Sequence, residues 1–399
     1  MAGFDIRDMM SDVDEAPGKV WFWDLETAVI DADRCVQCGV CVAACPTDSI
    51  GIGEDDLPTL VKMCTGCSLC WDFCPRGGLQ YEATWKIQGN AEARTVEGIG
   101  HVNESHTARV DPMIEGAQDG GVVSALIIAL LENDEIDGAL LARESATEPW
   151  KGEAFLATTP KEVRECAGSF YNQTLALGHV DFKDHDLPPN PRIVVVGTPC
   201  EIEGIKAMQA RPWTWGSSQV EAITLTIALL CTKSFNYEKL MLEEIRDKRD
   251  VDLNSVGRVD IIRGKLIVQD HEGESIFEEP IRDFHGAALK GCDECADFMG
   301  HAADISVGSV GSADGYSSVL IRSEEGLAAF EHVRGKLETR ELDKPEALDK
   351  LDSLDKKIAF KSLKRSFDPD APLFIDYEEH LENYEGTDRA PVQHEAVRY

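Results

Sequence analysis

Apolar runs of two lengths alternate along the middle of the chain. The run over residues 122–131 is long enough for a buried helix, and the shorter run over 138–143 predicts a strand. The same criteria predict helices near 160–166 and 201–209, and strands over 193–197, 222–230, 304–307 and 317–322. Residues 259–268 predict a β-hairpin that turns at 263–265. This alternation is typical of an α+β body built on a mixed sheet.

The flanking segments lack this alternation. Residues 76–118 are rich in glycine and show no period, which predicts a linker or a wrapping segment. Residues 1–33 predict a short lead-in with Trp21 and Trp23 in the core, whereas 323–365 are charged and predict helix. The acidic tail after Asp368 has few core residues, so we expect it to be solvated or to dock a partner.

The chain carries a large excess of acidic residues. Its 73 Asp and Glu against 39 Lys and Arg give a net charge of −34 over 399 residues. Because phosphate binding needs a basic footprint, this charge argues against nucleic acid, and it also disfavours a bare membrane surface. Acidity spread along the whole chain is typical of halophilic proteins, in which concentrated salt screens self-repulsion. An ordinary acidic cytosolic protein is the alternative.

Length and cysteine content place further limits on the protein. A chain of 399 residues has room for two or three domains. Thirteen cysteines behind an acidic, polar start predict a cytoplasmic location, where thiols stay reduced and available to metals. The longest apolar stretches contain roughly ten residues, about half of a bilayer span, so no transmembrane segment is expected.

Eight cysteines occur in two matching runs of the form CxxCxxCxxxCP. In two-cluster ferredoxins with this spacing, three cysteines of each run bind one [4Fe–4S] cube and the fourth binds the other. The rule predicts one ligand set of Cys35, Cys38, Cys41 and Cys74, and a second of Cys45, Cys64, Cys67 and Cys70. A zinc site needs only four ligands, so two quartets exceed its demand. The runs therefore predict a small ferredoxin domain that carries single electrons.

Five cysteines lie outside these runs. They are Cys166, Cys200, Cys231, Cys292 and Cys295. Cys200 and Cys231 follow predicted strands, and the last two form a CxxC in a loop, which are positions where sites in α/β sheets gather. These four are compatible with a third cube, and equally with buried thiols and a separate zinc or redox CxxC. Cys166 is predicted to be a plain buried thiol.

Two glycine clusters are candidate phosphate cradles. The sequence Gln118-Asp-Gly-Gly121 runs directly into the 122–131 helix, with Ser124 in its first turn, so free N–H groups and the helix dipole would face an anion. The glycine-rich stretch 307–318 would let a ligand approach the backbone closely. Paired glycines before helices and flexible turns between strands are common, so a structural role stays open for both.

Taken in order, these motifs resemble those of the beta subunits of coenzyme F420-dependent hydrogenases and dehydrogenases. The motifs are the two ferredoxin runs, QDGGVVS at 118–124, AGSFY at 167–171, GTPCEIEG at 197–204, KGCDEC at 290–295, DISVG at 304–308 and SSVLIR at 317–322. Their order and spacing carry the resemblance over roughly residues 34–335.

The resemblance implies an FAD-containing body that exchanges hydride with the deazaflavin coenzyme F420 and single electrons with the clusters. It implies a third [4Fe–4S] cluster on Cys200, Cys231, Cys292 and Cys295. It places six residues near FAD: Gly120, Gly121, Ser124, Thr198, Gly308 and Gly311. It also implies five segments: a lead-in (1–33), a ferredoxin domain (34–80), two parts of the flavin-binding body (81–180 and 181–340) and an acidic extension (341–399).

The leading hypothesis is therefore an F420-dependent oxidoreductase that exchanges electrons with other redox subunits or a ferredoxin-type acceptor. Candidate basic contacts for the anionic coenzyme are Lys206, Arg263, Lys290 and Arg322, with ordinary ion pairs as the alternative. Phe170 stands where relatives usually have a basic residue and Ser309 where many have an acidic one, so the substrate pocket is expected to differ. A ferredoxin-driven reductase of a conjugated ring and an electron relay beside a membrane redox complex are the alternative functions.

Overall fold

The computed structural model describes residues 20–79, 98–210 and 214–363. The acidic tail after Asp368 and the first part of the N-terminal lead-in lie outside these residues. Within the described ranges, no helix is long and apolar enough to cross a bilayer.

The two cysteine runs form a small pseudo-symmetric unit. Each run contains a four-residue helix, Val40–Ala43 in the first and Leu69–Asp72 in the second. The residue before each helix is left-handed, with φ of 78° at Gly39 and 67° at Ser68. The chain therefore turns sharply between the second and third cysteine of each run. An antiparallel hairpin belongs to this unit and consists of β1 (Ile50–Ile52) and β2 (Pro58–Leu60).

The lead-in supplies the core of the ferredoxin unit. Trp21 is buried, so its predicted position in the core is confirmed, whereas Trp23 is half-buried. The two rings stack with their centroids 4.8 Å apart. The short helical segments Phe22–Leu25 and Glu26–Ile30 place their apolar side chains against the cysteine-bearing loops.

The body is a mixed sheet of eight strands. These are β3 (Glu104–Val110), β4 (Gly138–Glu144), β5 (Gly152–Ala157), β6 (Ile193–Gly197), β7 (Ile223–Leu229), β11 (Ile305–Gly308), β12 (Ser317–Ile321) and β13 (Leu337–Arg340). Their spatial order is β13-β3-β12-β11-β7-β6-β4-β5. Strands β4, β6, β7 and β11 are parallel, and the other pairings are antiparallel. The predicted α+β body with a mixed sheet is confirmed.

Helices cover both faces of this sheet. On one face, the helix Val122–Glu132 is buried along most of its length and packs against the helix Glu324–Arg334. On the other face, the helix Pro199–Ala210 packs together with the ferredoxin unit. A Cβ atom on Gly204 would lie 2.2 Å from Cγ2 of Val40. The two parts can therefore approach this closely only because residue 204 has no side chain.

A smaller antiparallel sheet stands beside the main one. It consists of β8 (Val256–Ile262), β9 (Lys265–Asp270) and β10 (Ser275–Pro280). The predicted hairpin is confirmed, and Arg263 and Gly264 in its turn have φ of 53° and 77°, as two-residue hairpin turns require. The wide helix Glu238–Asp247 belongs to the same core. The sequence pattern predicts neither this helix nor β10.

Three other regions differ from the prediction. The linker predicted over 76–118 is wrong at Glu104–Val110, because these residues form β3 between β13 and β12. The helix predicted over 323–365 is wrong at Leu337–Arg340, which form the edge strand β13 ahead of the helix Pro345–Leu363. Strand β5 is not predicted at all. Strands β3 and β13 are defined by antiparallel pairing with distant partners, which the local pattern does not encode. Strand β5 pairs with its chain neighbour β4.

Candidate redox centres

The carboxyl ends of parallel strands meet at one edge of the main sheet, which we call the site edge. Thr198 and Cys200 follow β6, Cys231 follows β7, and Gly308 ends β11. Gly120 lies at the same edge, because a Cβ on it would be 2.3 Å from the carbonyl oxygen of β3 residue Ala108 and 2.7 Å from the first nitrogen of β12. Ligands of open α/β sheets bind outside the carboxyl ends of the strands. The site edge is therefore the candidate for cofactor binding.

The four cysteines outside the ferredoxin runs that were predicted as ligands come together at the site edge. Cys200 lies in the first turn of the helix Pro199–Ala210, and the CxxC lies in and just after the short 3-10 helix Lys290–Glu294. Burial raises the pKa of Cys231, and the neighbouring thiols of Cys292 and Cys295 raise it further. Burial likewise raises the pKa of Cys200, with smaller contributions from Glu201 and then Cys295. We call these four residues the third quartet.

Polar side chains surround the third quartet. The Thr198 hydroxyl lies 3.1 Å from Sγ of Cys200, and the backbone N–H of Ser234 donates to Sγ of Cys292 at 3.5 Å. Nε2 of Gln173 donates to the hydroxyl of Thr198 at 3.1 Å and to the hydroxyl of Ser234 at 2.9 Å. It also lies within hydrogen-bond distance of Sγ of Cys200, at 3.9 Å. Sequence reasoning missed Gln173 and Ser234, although Gln173 follows the AGSFY motif by two residues.

The ferredoxin cysteines gather in the two predicted sets, here the first quartet (Cys35, Cys38, Cys41, Cys74) and the second quartet (Cys45, Cys64, Cys67, Cys70). Burial raises the pKa of Cys41, and the neighbouring thiols of Cys35 and Cys74 raise it further. Burial also raises the pKa of Cys70, and Cys67 and then the other neighbouring thiols raise it further. Backbone N–H groups donate to sulfur at matching positions, from Gln37 to Cys35 at 3.4 Å and from Gly66 to Cys64 at 3.3 Å.

The chemistry of these sets fits iron–sulfur cubes. A buried thiol with a raised pKa stays protonated, and a bound metal shifts the balance towards the thiolate. In the parts of the chain that the structure covers, no three Cys, His, Asp or Glu side chains converge closely enough to hold a single metal ion. A [4Fe–4S] cube is larger than one ion and takes four thiolates at its corners. The quartets therefore suit a cube better than zinc, and their ligand roles stay predictions.

The first quartet neighbours both of the others. Cys200 of the third quartet raises the pKa of Cys38 in the first, after the larger effect of burial. Cys41 of the first quartet is among the thiols that raise the pKa of Cys70 in the second, again after burial. The first quartet therefore has close neighbours both in the third quartet, at the sheet, and in the second quartet.

The small sheet packs against the site edge. Nε2 of Gln118 donates to the carbonyl of Val259 at 3.1 Å, and Arg258 donates to the carbonyl of Gln118 at 2.6 Å. In the hairpin turn, Arg263 forms an ion pair with Asp314 at 3.1 Å. The hairpin of β8 and β9 therefore faces both glycine-rich segments. Next to this contact, burial raises the pKa of Asp119 to about 6, and the carboxylate of Asp260 adds to this effect.

The six residues predicted near FAD all lie along the site edge. Four are glycines whose positions are explained by packing: Gly120 against β3 and β12, Gly121 as the left-handed residue before the helix Val122–Glu132, Gly308 against Leu230, and Gly311 against Ser318 and Leu348. Ser124 is half-buried in the first turn of that helix, and Thr198 donates to Glu201 as well as contacting Cys200. Contact of these residues with FAD stays a prediction.

The four basic candidates do not form one patch. Lys206 pairs with Asp304 at 3.0 Å, at the amino end of β11 and away from the site edge. Arg322 is buried there and donates to the carbonyls of Ile99, His101 and Met299. Lys290 pairs with Asp33 at the end of the lead-in. Lys206 and Lys290 thus form ordinary ion pairs, which was the alternative, and Arg263 in the hairpin turn stays a candidate contact for the coenzyme.

Three further residues of interest from the sequence have ordinary surroundings. Cys166 is half-buried rather than fully buried, and burial raises its pKa to about 11. Phe170 packs over Gly152, the first residue of β5, and its ring lies 6.4 Å from that of Trp150. Ser309 is exposed directly after β11. Phe170 and Ser309, the two departures from the resembled family, thus lie at the site edge.

Three stretches of the chain match known protein families. Residues 28–80 match the 4Fe-4S dicluster domain. Residues 105–180 match the N-terminal part of the coenzyme F420 hydrogenase/dehydrogenase beta subunit, and residues 191–345 match its C terminus.

Individual relatives match much of the chain. One of the subunits of the F(420)H(2) dehydrogenase of Methanosarcina mazei is 30% identical over 331 residues, which are 79% of this chain and 87% of that protein. The coenzyme F420-dependent sulfite reductase of Methanocaldococcus jannaschii is 30% identical over 356 residues, 86% of this chain, and the match spans 52% of that protein's length. A chain of the F420-reducing [NiFe] hydrogenase complex from Methanosarcina barkeri matches 67% of this chain and 92% of its own length, with 27% identity and a TM-score of 0.62. The chain therefore belongs to the family of coenzyme F420 hydrogenase/dehydrogenase beta subunits and carries an N-terminal 4Fe-4S dicluster domain.

Proposed function

We propose that the protein is an F420-dependent oxidoreductase with FAD at the site edge and one [4Fe–4S] cluster on each cysteine quartet. When bound, FAD would exchange hydride with the coenzyme and single electrons with the clusters. The observation that carries the proposal is the position of the third quartet. It lies at the site edge beside Thr198 and, through Cys200, next to Cys38 of the first quartet.

The proximity of the quartets supports one-electron transfer through the protein. Clusters on the third, first and second quartets would each have a neighbour, so an electron could pass from the site edge to the outer part of the ferredoxin unit. The protein's residues hold the sulfur ligands in place and supply hydrogen bonds to them, and such bonds are one of the factors that set cluster potentials. Around the third quartet, Gln173, Thr198 and Ser234 supply these hydrogen bonds.

Residues of the site edge would hold the flavin. Gly121 starts the helix Val122–Glu132 without a side-chain cap, so the first N–H groups of that helix are available for a phosphate group. Thr198 follows β6 and Gly308 ends β11, so both lie at the same edge, on the side towards the third quartet. The flavin contacts proposed for these residues draw support from their shared edge and from family membership.

The region where the β8–β9 hairpin meets the site edge is the proposed binding place for F420. Arg263 is the candidate contact for the coenzyme's phosphate and carboxylates, because its side chain is 78% exposed and its ion pair with Asp314 can exchange for another anion. Phe170 would present an aromatic surface at the same edge. Neither role requires a proton transfer by the protein.

A partner redox protein is part of the proposal. The match to the sulfite reductase covers most of this chain and about half of that protein, and two other relatives are named as subunits of a dehydrogenase and a hydrogenase. We therefore propose that this chain is an electron-input module for a separate catalytic subunit. The net charge of −34 favours a partner with a basic docking face.

Anaerobic purification followed by titration with reduced F420 tests the proposal. We expect FAD and roughly twelve irons per chain, as three four-iron cubes require. Reduced F420 should be oxidised when a one-electron acceptor is present, which is followed by the absorbance of the oxidised coenzyme. No oxidation by a fully loaded protein would refute the F420 assignment and leave the ring reductase. Twelve irons without flavin would instead favour the electron relay.

A further inference from the structure

A buried arginine lies between two of the quartets. Arg76 follows Cys74 by two residues and is 4% exposed. Its backbone N–H donates to Sγ of Cys74 at 3.4 Å, and its side chain crosses to the other part of the protein. There Nε donates to the carbonyl of Gly291 at 2.6 Å, directly before Cys292.

The charge of Arg76 lies close to ligands of both quartets. Its guanidinium donates to two backbone carbonyls, those of Pro75 and Gly291. Pro75 directly follows Cys74, and Gly291 directly precedes Cys292. A buried cation is unfavourable unless anions compensate it. The thiolates of a cluster on either side would contribute to that compensation.

Arg76 thus connects the two quartets through its own atoms. Its backbone N–H is bonded to Sγ of Cys74 in the first quartet, and its Nε is bonded to the carbonyl that directly precedes Cys292 of the third quartet. One buried cation therefore lies beside both quartets.

We propose that Arg76 is a positioning residue that raises the reduction potentials of the clusters on both the first and the third quartet. Each cluster gains negative charge on reduction, and a fixed cation stabilises the reduced form. The second quartet serves as the internal reference.

A neighbouring ion pair offers a matched control. Arg34 donates to the carbonyl of Arg76 at 3.0 Å and to both carboxylate oxygens of Glu294, at distances from 2.7 to 3.2 Å. Replacing both members, as Arg34→Gln with Glu294→Gln, removes contacts from the same interface without changing its net charge. A purely structural role of this interface would give similar effects for this pair and for Arg76.

The test is a redox titration of the full-length protein followed by EPR, with iron counted for every variant. Arg76→Gln keeps a hydrogen-bond donor and loses the charge, whereas Arg76→Lys keeps the charge. We expect Arg76→Gln to lower the midpoint potentials of the first and third clusters while the second stays unchanged. Arg76→Lys and the Arg34/Glu294 double variant should titrate like the wild type.

Several results would overturn the proposal. They are unchanged potentials in fully loaded Arg76→Gln, an equal shift of all three clusters, or the same shift in Arg76→Lys. Loss of iron from the Gln variant but not from the Lys variant would support the need for the charge, whereas loss from both would indicate a structural role only.

The inference rests on the third cluster of the proposed function, so the iron count and EPR of the wild type test that assumption first. A chemical reductant replaces F420 throughout. The outcome for Arg76 is therefore separate from the outcome for the coenzyme.

Discussion

The side-chain amide of Gln173 donates a 2.9 Å hydrogen bond to the hydroxyl of Ser234, and both residues are buried. The same amide nitrogen donates to Thr198 and to Sγ of Cys200. Thr198 and Ser234 in turn contact Cys200 and Cys292. Gln173 is therefore the common anchor of the polar groups around the third quartet.

Replacement of Gln173 should change the third cluster selectively. Gln173→Leu removes the donor to Cys200 and releases both hydroxyls, and fewer hydrogen bonds to sulfur lower a cluster's potential. We expect one of three EPR-detected midpoint potentials to fall while the iron content stays near twelve per chain. Gln209→Leu is the control, because the Gln209 amide donates to the carbonyls of Val220 and Ile223. Equal shifts in both variants would contradict the prediction.

Removal of one ligand of the third quartet should cost one cluster. Cys292→Ala is expected to lower the iron content from roughly twelve to roughly eight per chain, since a cube needs all four thiolates. The EPR signals of the two ferredoxin clusters should remain. Cys166→Ala, at a half-buried thiol outside the quartets, should retain all iron. Full iron in Cys292→Ala would show that this cysteine is not a ligand.

The sequence predicts the ferredoxin unit well because its information is local. Each cysteine run folds within a dozen residues, and the left-handed residues Gly39 and Ser68 sit at equivalent points of the two runs. The third quartet is different. Its members are separated by β7 and by the whole small sheet, and they meet because β6 and β7 are parallel neighbours whose carboxyl ends share an edge.

The local sequence pattern does not predict which residues act across the interface. Arg76 looks like an ordinary residue after a CP motif, and its importance depends on the carbonyl of Gly291, 215 positions away. Lys206 and Arg322 were candidates by residue type, yet the topology places them at the amino end of β11. Sequence alone does not encode which end of a strand faces a ligand until the strand order is known.

The carboxyl group of Asp119 predicts a pH effect on stability. Burial, aided by Asp260, raises its pKa from an ordinary 3.8 to about 6, so the folded protein binds the proton more tightly than the unfolded chain. Stability contributed by this group is therefore present below pH 4 and is lost as the pH rises through about 6.

Asp119→Asn removes this pH-dependent loss. The melting temperature of the variant relative to the wild type should be higher at pH 8 than at pH 4. Differential scanning fluorimetry across this range measures the difference. Asp184→Asn, at an exposed site, should show no such trend, and a trend of equal size there would contradict the assignment.

Arg263 should affect coenzyme binding more than stability. Its pair with Asp314 is exposed on both sides, and such surface pairs contribute little to folding. We expect Arg263→Ala to raise the KM for F420 about tenfold, which corresponds to about 1.4 kcal/mol, with kcat nearly unchanged. The control variant is Arg282→Ala, because Arg282 is similarly exposed and also has an acidic neighbour, Asp283. An unchanged KM in Arg263→Ala would place the coenzyme elsewhere.

The close contact between Gly204 and Val40 should determine how well the ferredoxin unit packs against the body. Two opposing effects act on Gly204→Ala. Alanine favours a helix over glycine by about 1 kcal/mol, while overpacking costs about 1–3 kcal/mol. Because the new Cβ would lie 2.2 Å from Cγ2 of Val40, well inside van der Waals contact, we expect the cost to prevail and the melting temperature to fall.

A double-mutant cycle separates the steric effect from the helix effect. Val40 is fully buried, so Val40→Ala alone should also destabilise by leaving a cavity. The new methyl group of Gly204→Ala would partly fill that cavity. The double variant should therefore be more stable than the sum of the two single effects predicts. Strict additivity in denaturant unfolding would show that the two residues do not press on each other, and that the ferredoxin unit is held to the body by other contacts.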